Sequence, residues 1–122
     1  MRIYFPLTKA EVFELQKSGT LEAQIRVGIT ITDGFKATLQ TDDADELELI
    51  AALAASDLSE SSAVVTVVDA EVKVIDDELG EVEFNGEIRL IDCECLMIAD
   101  IESQELSWFG IQEIDDVIKA IG

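Results

Sequence analysis

The chain has 122 residues, 48% of them apolar, and sets 27 Asp and Glu against 8 Lys and Arg with no histidine, a formal charge of −19. That length and apolar content fit a single domain over residues 1–122 and exclude a disordered chain, even at this charge. The acidity argues against direct nucleic-acid binding and against docking on anionic membrane, since both attract Lys and Arg, and the missing histidine excludes every triad or metal motif built on it.

In chain order, "RIYFPL" predicts a short strand with Arg2, Tyr4 and Pro6 on one side and Ile3, Phe5 and Leu7 on the other. "TKAE" follows as a capping box, Thr8 as N-cap and Glu11 at the third helical position, and Gly19 supplies the stop. "AQIRVGITI" alternates Ile25, Val27, Ile29 and Ile31 with polar or small residues, the pattern of a half-buried strand. "TDGFKATL" predicts a turn of helix, and "TDDADELELIAALAASDL" a full one. Asp43 and Glu46 read as a second cap pair, with Leu47, Ile50, Ala51, Ala54 and Leu58 on the buried face.

"AVVTVVDAEVKVI" is the longest β-branched run and the expected central strand. "EVEFNGEIRL" predicts a hairpin with Phe84, Asn85 and Gly86 as its loop, which sets Val82 opposite Ile88. The strand from Glu87 is expected to run on through "IDCECLMIAD", and "LSWF" to be a last short strand, Trp108 and Phe109 contributing to core. "IQEIDDVIKAI" then makes an amphipathic helix with Ile111, Ile114, Val117, Ile118 and Ile121 on one face.

Strict alternation puts Ile91, Cys93, Cys95 and Met97 on one uncharged strand face, so both cysteines read as core. A zinc site needs about four ligands and no histidine exists to complete one; Asp92 and Glu94 also oppose a reactive thiolate. The N-terminus has no apolar run of signal-peptide length, and no stretch approaches the roughly 18 apolar residues of a membrane span, so a cytoplasmic location is expected.

Two acid clusters supply the candidate site residues. Asp42, Asp43, Asp45 and Glu46 form an acidic patch at a helix start; as a calcium loop the segment lacks the required glycine. Asp76, Asp77 and Glu78 beside Gly80 are candidates for weak divalent-ion binding, though such a run reads more simply as a solvated turn. No catalytic residue is singled out, and neither a cofactor nor a resident metal is expected.

Three segments, "MRIYFPLT", "DDADELELIAALAAS" and "LSWFGIQEI", together resemble a family of small actinobacterial proteins of unknown function. The resemblance spans Met1 to about Ile114 and implies an uncharacterised bacterial domain without an assigned activity. Where that family often carries a valine-histidine-valine-aspartate strand, this chain has "CLMIAD".

The expectation is therefore an α+β fold: a single compact domain with a mixed β-sheet of four to six strands and three main helices. In function it reads as a non-enzymatic acidic binding or interaction protein engaging a basic protein. The alternative is a small enzyme using surface carboxylates, with or without a divalent cation. Nothing in the sequence speaks to oligomeric state.

Overall fold

Thr8 closes the first strand, β1 (Arg2–Thr8), and opens the first helix, α1 (Lys9–Ser18). Its hydroxyl accepts the Glu11 N–H, and Glu11 Oε1 accepts the Thr8 N–H, completing the predicted capping box; Gly19 ends the helix at φ 79°. Strand β2 (Thr20–Ile29) returns, followed by α2 (Asp33–Thr38) and α3 (Ala44–Asp57). Next come β3 (Ser62–Asp69), β4 (Lys73–Asp76), β5 (Glu81–Arg89), β6 (Cys93–Asp100), β7 (Glu105–Phe109) and α4 (Ile114–Ile121). These assignments come from a computed structural model that describes residues 1–100 and 102–122.

The α+β class is as expected, but the sheet is larger and more uniform: among the described residues there are seven strands in the order β4-β5-β2-β1-β3-β6-β7, every neighbouring pair antiparallel, with four helices. On its first face α1 and α4 cover a core that includes Ile3, Phe5, Leu7, Val64, Ile88 and Leu96. On its second face α2 and α3 cover Tyr4, Ile29, Val65, Val67 and Met97. β1 and β3 are thus buried on both sides, which explains why Val64 to Val68 are all buried, with Thr66 the one polar residue among four valines. Each fully buried Leu, Ile, Val or Phe contributes roughly 1.5–3 kcal/mol.

Several local expectations are corrected by partners distant in sequence. The β-branched run expected as one central strand splits: β3 lies next to β1, whereas β4 lies at the far edge beside β5. Asn85 and Gly86 make no hairpin. They sit inside β5, opposite Ile25 and Gln24 of β2, and the hairpin turn falls instead between β4 and β5, where Gly80 takes φ 69°. β2 is half-buried in a different sense from that expected. Ile29 joins the second-face core, but Ile25 and Val27 lie outside it and stay 63% and 40% exposed. On α3 the buried residues are Ala51, Ala52 and Ala55, whose small side chains allow close approach to the sheet; the leucines flank them half-buried. Trp108 is 51% exposed on the edge strand β7 instead of in the core.

The cysteines are both buried, as read, but they do not share a face. From Thr66–Leu96 to Val68–Cys93, β3 advances by two residues while β6 takes three, a β-bulge. Cys93 therefore joins the first-face core and Cys95 the second, and a single 3-10 turn (Leu90–Asp92) leaves Ile91 77% exposed. The Thr66 hydroxyl, fully buried beside the bulge, donates to the Cys95 carbonyl at 3.0 Å.

Candidate functional site

The acidic patch is built on the start of α3. Asp43 is its N-cap: Oδ1 accepts the N–H groups of Asp45 and Glu46 at 2.9 and 3.0 Å. The reciprocal half of the predicted box is not made, because the Asp43 N–H donates to Thr41 Oγ1 instead. Asp42 faces Lys36 of α2 at 3.6 Å, while Asp45 and Glu46 project into solvent.

The second cluster occupies the β4–β5 turn. Asp76 Oδ1 accepts the Leu79 N–H, and Asp77 and Glu78 are exposed. The Asp77 carbonyl accepts the hydroxyl of Thr32, the N-cap of α2, and a side chain at Gly34 would collide with Asp77, so the start of α2 is seated directly on the turn. Helix α2 thereby joins the two clusters: its first turn touches Asp77 and its Lys36 reaches Asp42. Its six residues span only about 9 Å, so two clusters some 30 residues apart in sequence become one acidic end of the molecule, with Asp33 between them. Among the described residues, no three Cys, Asp or Glu side chains converge as metal ligands.

Sequence reasoning missed a third constellation, on the second face at the bulge. Arg2 Nε donates to Glu94 at 2.8 Å, its Nη2 to Glu48 at 3.1 Å and its Nη1 to the Tyr4 hydroxyl at 3.2 Å; Tyr4 in turn donates to Glu48 at 3.0 Å. Strict alternation would put Glu94 on the opposite side of β6 from Cys95; the bulge brings it to Arg2. The available signal was Glu48 itself, an acid at helical spacing with the buried Ala51, Ala52 and Ala55.

Burial, reinforced by the Glu48 charge, holds the Tyr4 phenol above its usual range, and the same two causes push the Cys95 thiol up to about 11. Burial likewise raises Cys93. The hydrogen bond to Glu94 raises Arg2 further still. Protonated phenol and thiol next to a neutralised guanidinium are poor nucleophiles; the network ties α3 to the sheet. Separately, an apolar cavity of about 480 Å³, lined by Leu90, Ile91 and Ile111 with Arg89 at its side, has no acid in its wall.

The arrangement defines a small α+β protein with an all-antiparallel sheet between two helical layers and two acid clusters joined through α2. Residues 1–98 match the model of a family of unknown function (DUF6912), and the chain belongs to that family. The match includes the first two segments on which the resemblance was drawn, while Leu106–Ile114 lies beyond it. No curated protein and no solved structure matches the chain.

Proposed function

We propose that this chain is a non-enzymatic binding module whose acidic end, formed by Asp42, Asp45, Glu46, Asp77 and Glu78 around α2, engages a basic protein. The observation that supports this most directly is the use of the arginines. Arg2 pairs with Glu48 and Glu94, Arg26 with Glu11 and Arg89 with Asp92, so all three spend their charge on the chain's own acids. Most of the acids then face outward without an internal counterion, and the acidic end has Lys36 as its near cation. Such a field attracts a basic partner from a distance and weakens as salt rises.

The test is affinity capture from native lysate at low and high salt, comparing wild type with a variant combining D42N, D45N, E46Q, D77N and E78Q. Asp43 is kept because it caps α3. A basic protein held at low salt, shed at high salt and lost by the variant supports the reading. A partner held equally by the variant, or indifferent to salt, overturns it.

A further inference from the structure

The outer side of an edge strand presents unpaired backbone N–H and C=O groups, and a strand that leaves them open can take up another strand. Here the two edges are β4 and β7. β4 is guarded: it has four residues, carries Lys73 and shifts register between Val74 and Asp76. β7 has none of these guards. Its five residues pair with β6 in unbroken register and include no Pro, Lys or Arg. Among the described residues, its backbone finds hydrogen-bond partners only in β6.

The side chains of β7 fit a contact surface. Leu106 and Trp108 stand on the second face, opposite Ala99 and the buried Met97, and Trp108 is 51% exposed. Half-exposed tryptophan is a frequent anchor of protein interfaces, where its ring is covered by the partner. Next to the start of β7, Leu53, Ala54 and Asp57 of α3 and Gln104 line a cavity of about 250 Å³. The exposed Asp57 puts a carboxylate beside two apolar side chains, which matches an aliphatic stem ending in a cation.

Charge decides the occupant. The chain has no Lys or Arg between Arg89 and Lys119, whereas Asp100, Glu102 and Glu105 lie at one end of β7 and Glu113 at the other. A second copy laid antiparallel on β7 would set the Glu105 end of one strand against the Glu113 end of the other with no cation between them. A basic strand meets acids at both ends.

We propose that β7 takes up an extended basic segment of another protein as an eighth strand. The segment pairs its backbone with Glu105–Phe109 and carries Lys or Arg at alternate positions. Their stems lie along Leu106 and Trp108, and their charges point toward Asp57 and the acids of the β6–β7 turn. The site is on the edge of the sheet opposite the β4–β5 turn on which α2 is seated, so it stands independently of the reading of the acidic end.

The test titrates the intact chain with a capped peptide of about seven residues alternating Lys and Val. Trp108 is the one tryptophan, so its fluorescence reports the site alone. The peptide is expected to shift the emission to the blue saturably and to slow hydrogen exchange along β7. A fully N-methylated version, which keeps the charge and lacks every backbone N–H, binds about tenfold or more weakly. Trp108→Thr, at a half-exposed side chain and with strand propensity kept, weakens binding by a similar factor, read from exchange at Leu106 to Phe109, while the chain stays folded. The variant combining D42N, D45N, E46Q, D77N and E78Q binds the peptide as wild type does. No blue shift, equal binding of the N-methylated peptide, or an unchanged affinity in Trp108→Thr overturns the proposal. So does sedimentation showing a dimer that Trp108→Thr dissolves, which would make a second copy the occupant. A peptide lost by the five-site variant sits at the acidic end, which overturns the β7 site and leaves the partner reading standing.

Discussion

The Tyr4 hydroxyl donates to Glu48 Oε1 at 3.0 Å, the same oxygen that accepts Arg2 Nη2 at 3.1 Å. One carboxylate oxygen on α3 is thereby bonded to two residues of the central strand, and Glu48 remains only 16% exposed because both its partners are fixed. Tyr4→Phe leaves Arg2 in place and removes one donor, so it lowers stability by about 1 kcal/mol, read as a reduced denaturation midpoint.

The same contact has a signature in alkali. Tyr4 is the one tyrosine in the chain, so phenolate absorbance reports it alone. Its folded pKa is raised, so its contribution to stability is complete below the unfolded value of about 10 and is lost as pH rises past it. Phenolate is expected to appear together with unfolding. A phenol that titrates in the ordinary range while circular dichroism stays native would contradict the buried contact.

Cys93 and Cys95 are 4% and 5% exposed, on opposite faces, with both thiols raised. Ellman's reagent at neutral pH is expected to react with both at the global unfolding rate, and promptly once the chain is denatured. Two native thiols as fast as denatured ones would overturn their placement. The stability linked to Cys95 is present below the ordinary thiol pKa and declines as pH climbs toward about 11.

Gly28 is a close approach between strands. A Cβ there would lie 2.8 Å from Ile3 Cγ2 and 2.9 Å from the Phe5 ring, which itself packs on Phe84 with centroids 5.4 Å apart. Gly28→Ala is expected to destabilise by about 1–3 kcal/mol through overpacking. Gly19→Ala meets no neighbour within 4 Å and is strained only by its φ of 79°, so it costs about 1 kcal/mol. Paired thermal melts of the two variants check the order.

Asp43 separates a folding role from a binding role inside the acidic patch. Asp43→Ala removes a cap on two N–H groups and lowers stability by about 1 kcal/mol, whereas Asp43→Asn keeps most of it. Asp42→Asn, at an exposed side chain 3.6 Å from Lys36, is expected to leave the melt unchanged. Equal effects at 42 and 43 would mean that Asp43 acts through its charge and not through the helix end.

What this sequence determined by itself is whatever closes between near neighbours. The Thr8–Glu11 box, the Gly19 stop, the Asp43 cap and the apolar stripe of α4 are bonds or faces set within a few residues, so they survive in any surroundings. The tertiary structure decided what depends on a partner far along the chain. Asn85-Gly86 is a competent turn, yet in this fold β5 runs through it because β2 pairs along its length. A single extra residue in β6 turned Cys93 and Cys95 to opposite faces and delivered Glu94 to Arg2, since the side-chain period of a strand is two and a slip of one inverts it. Arg26, Glu48 and the two acid clusters acquired their surroundings in the same way, from elements that meet only when the sheet and its helices assemble.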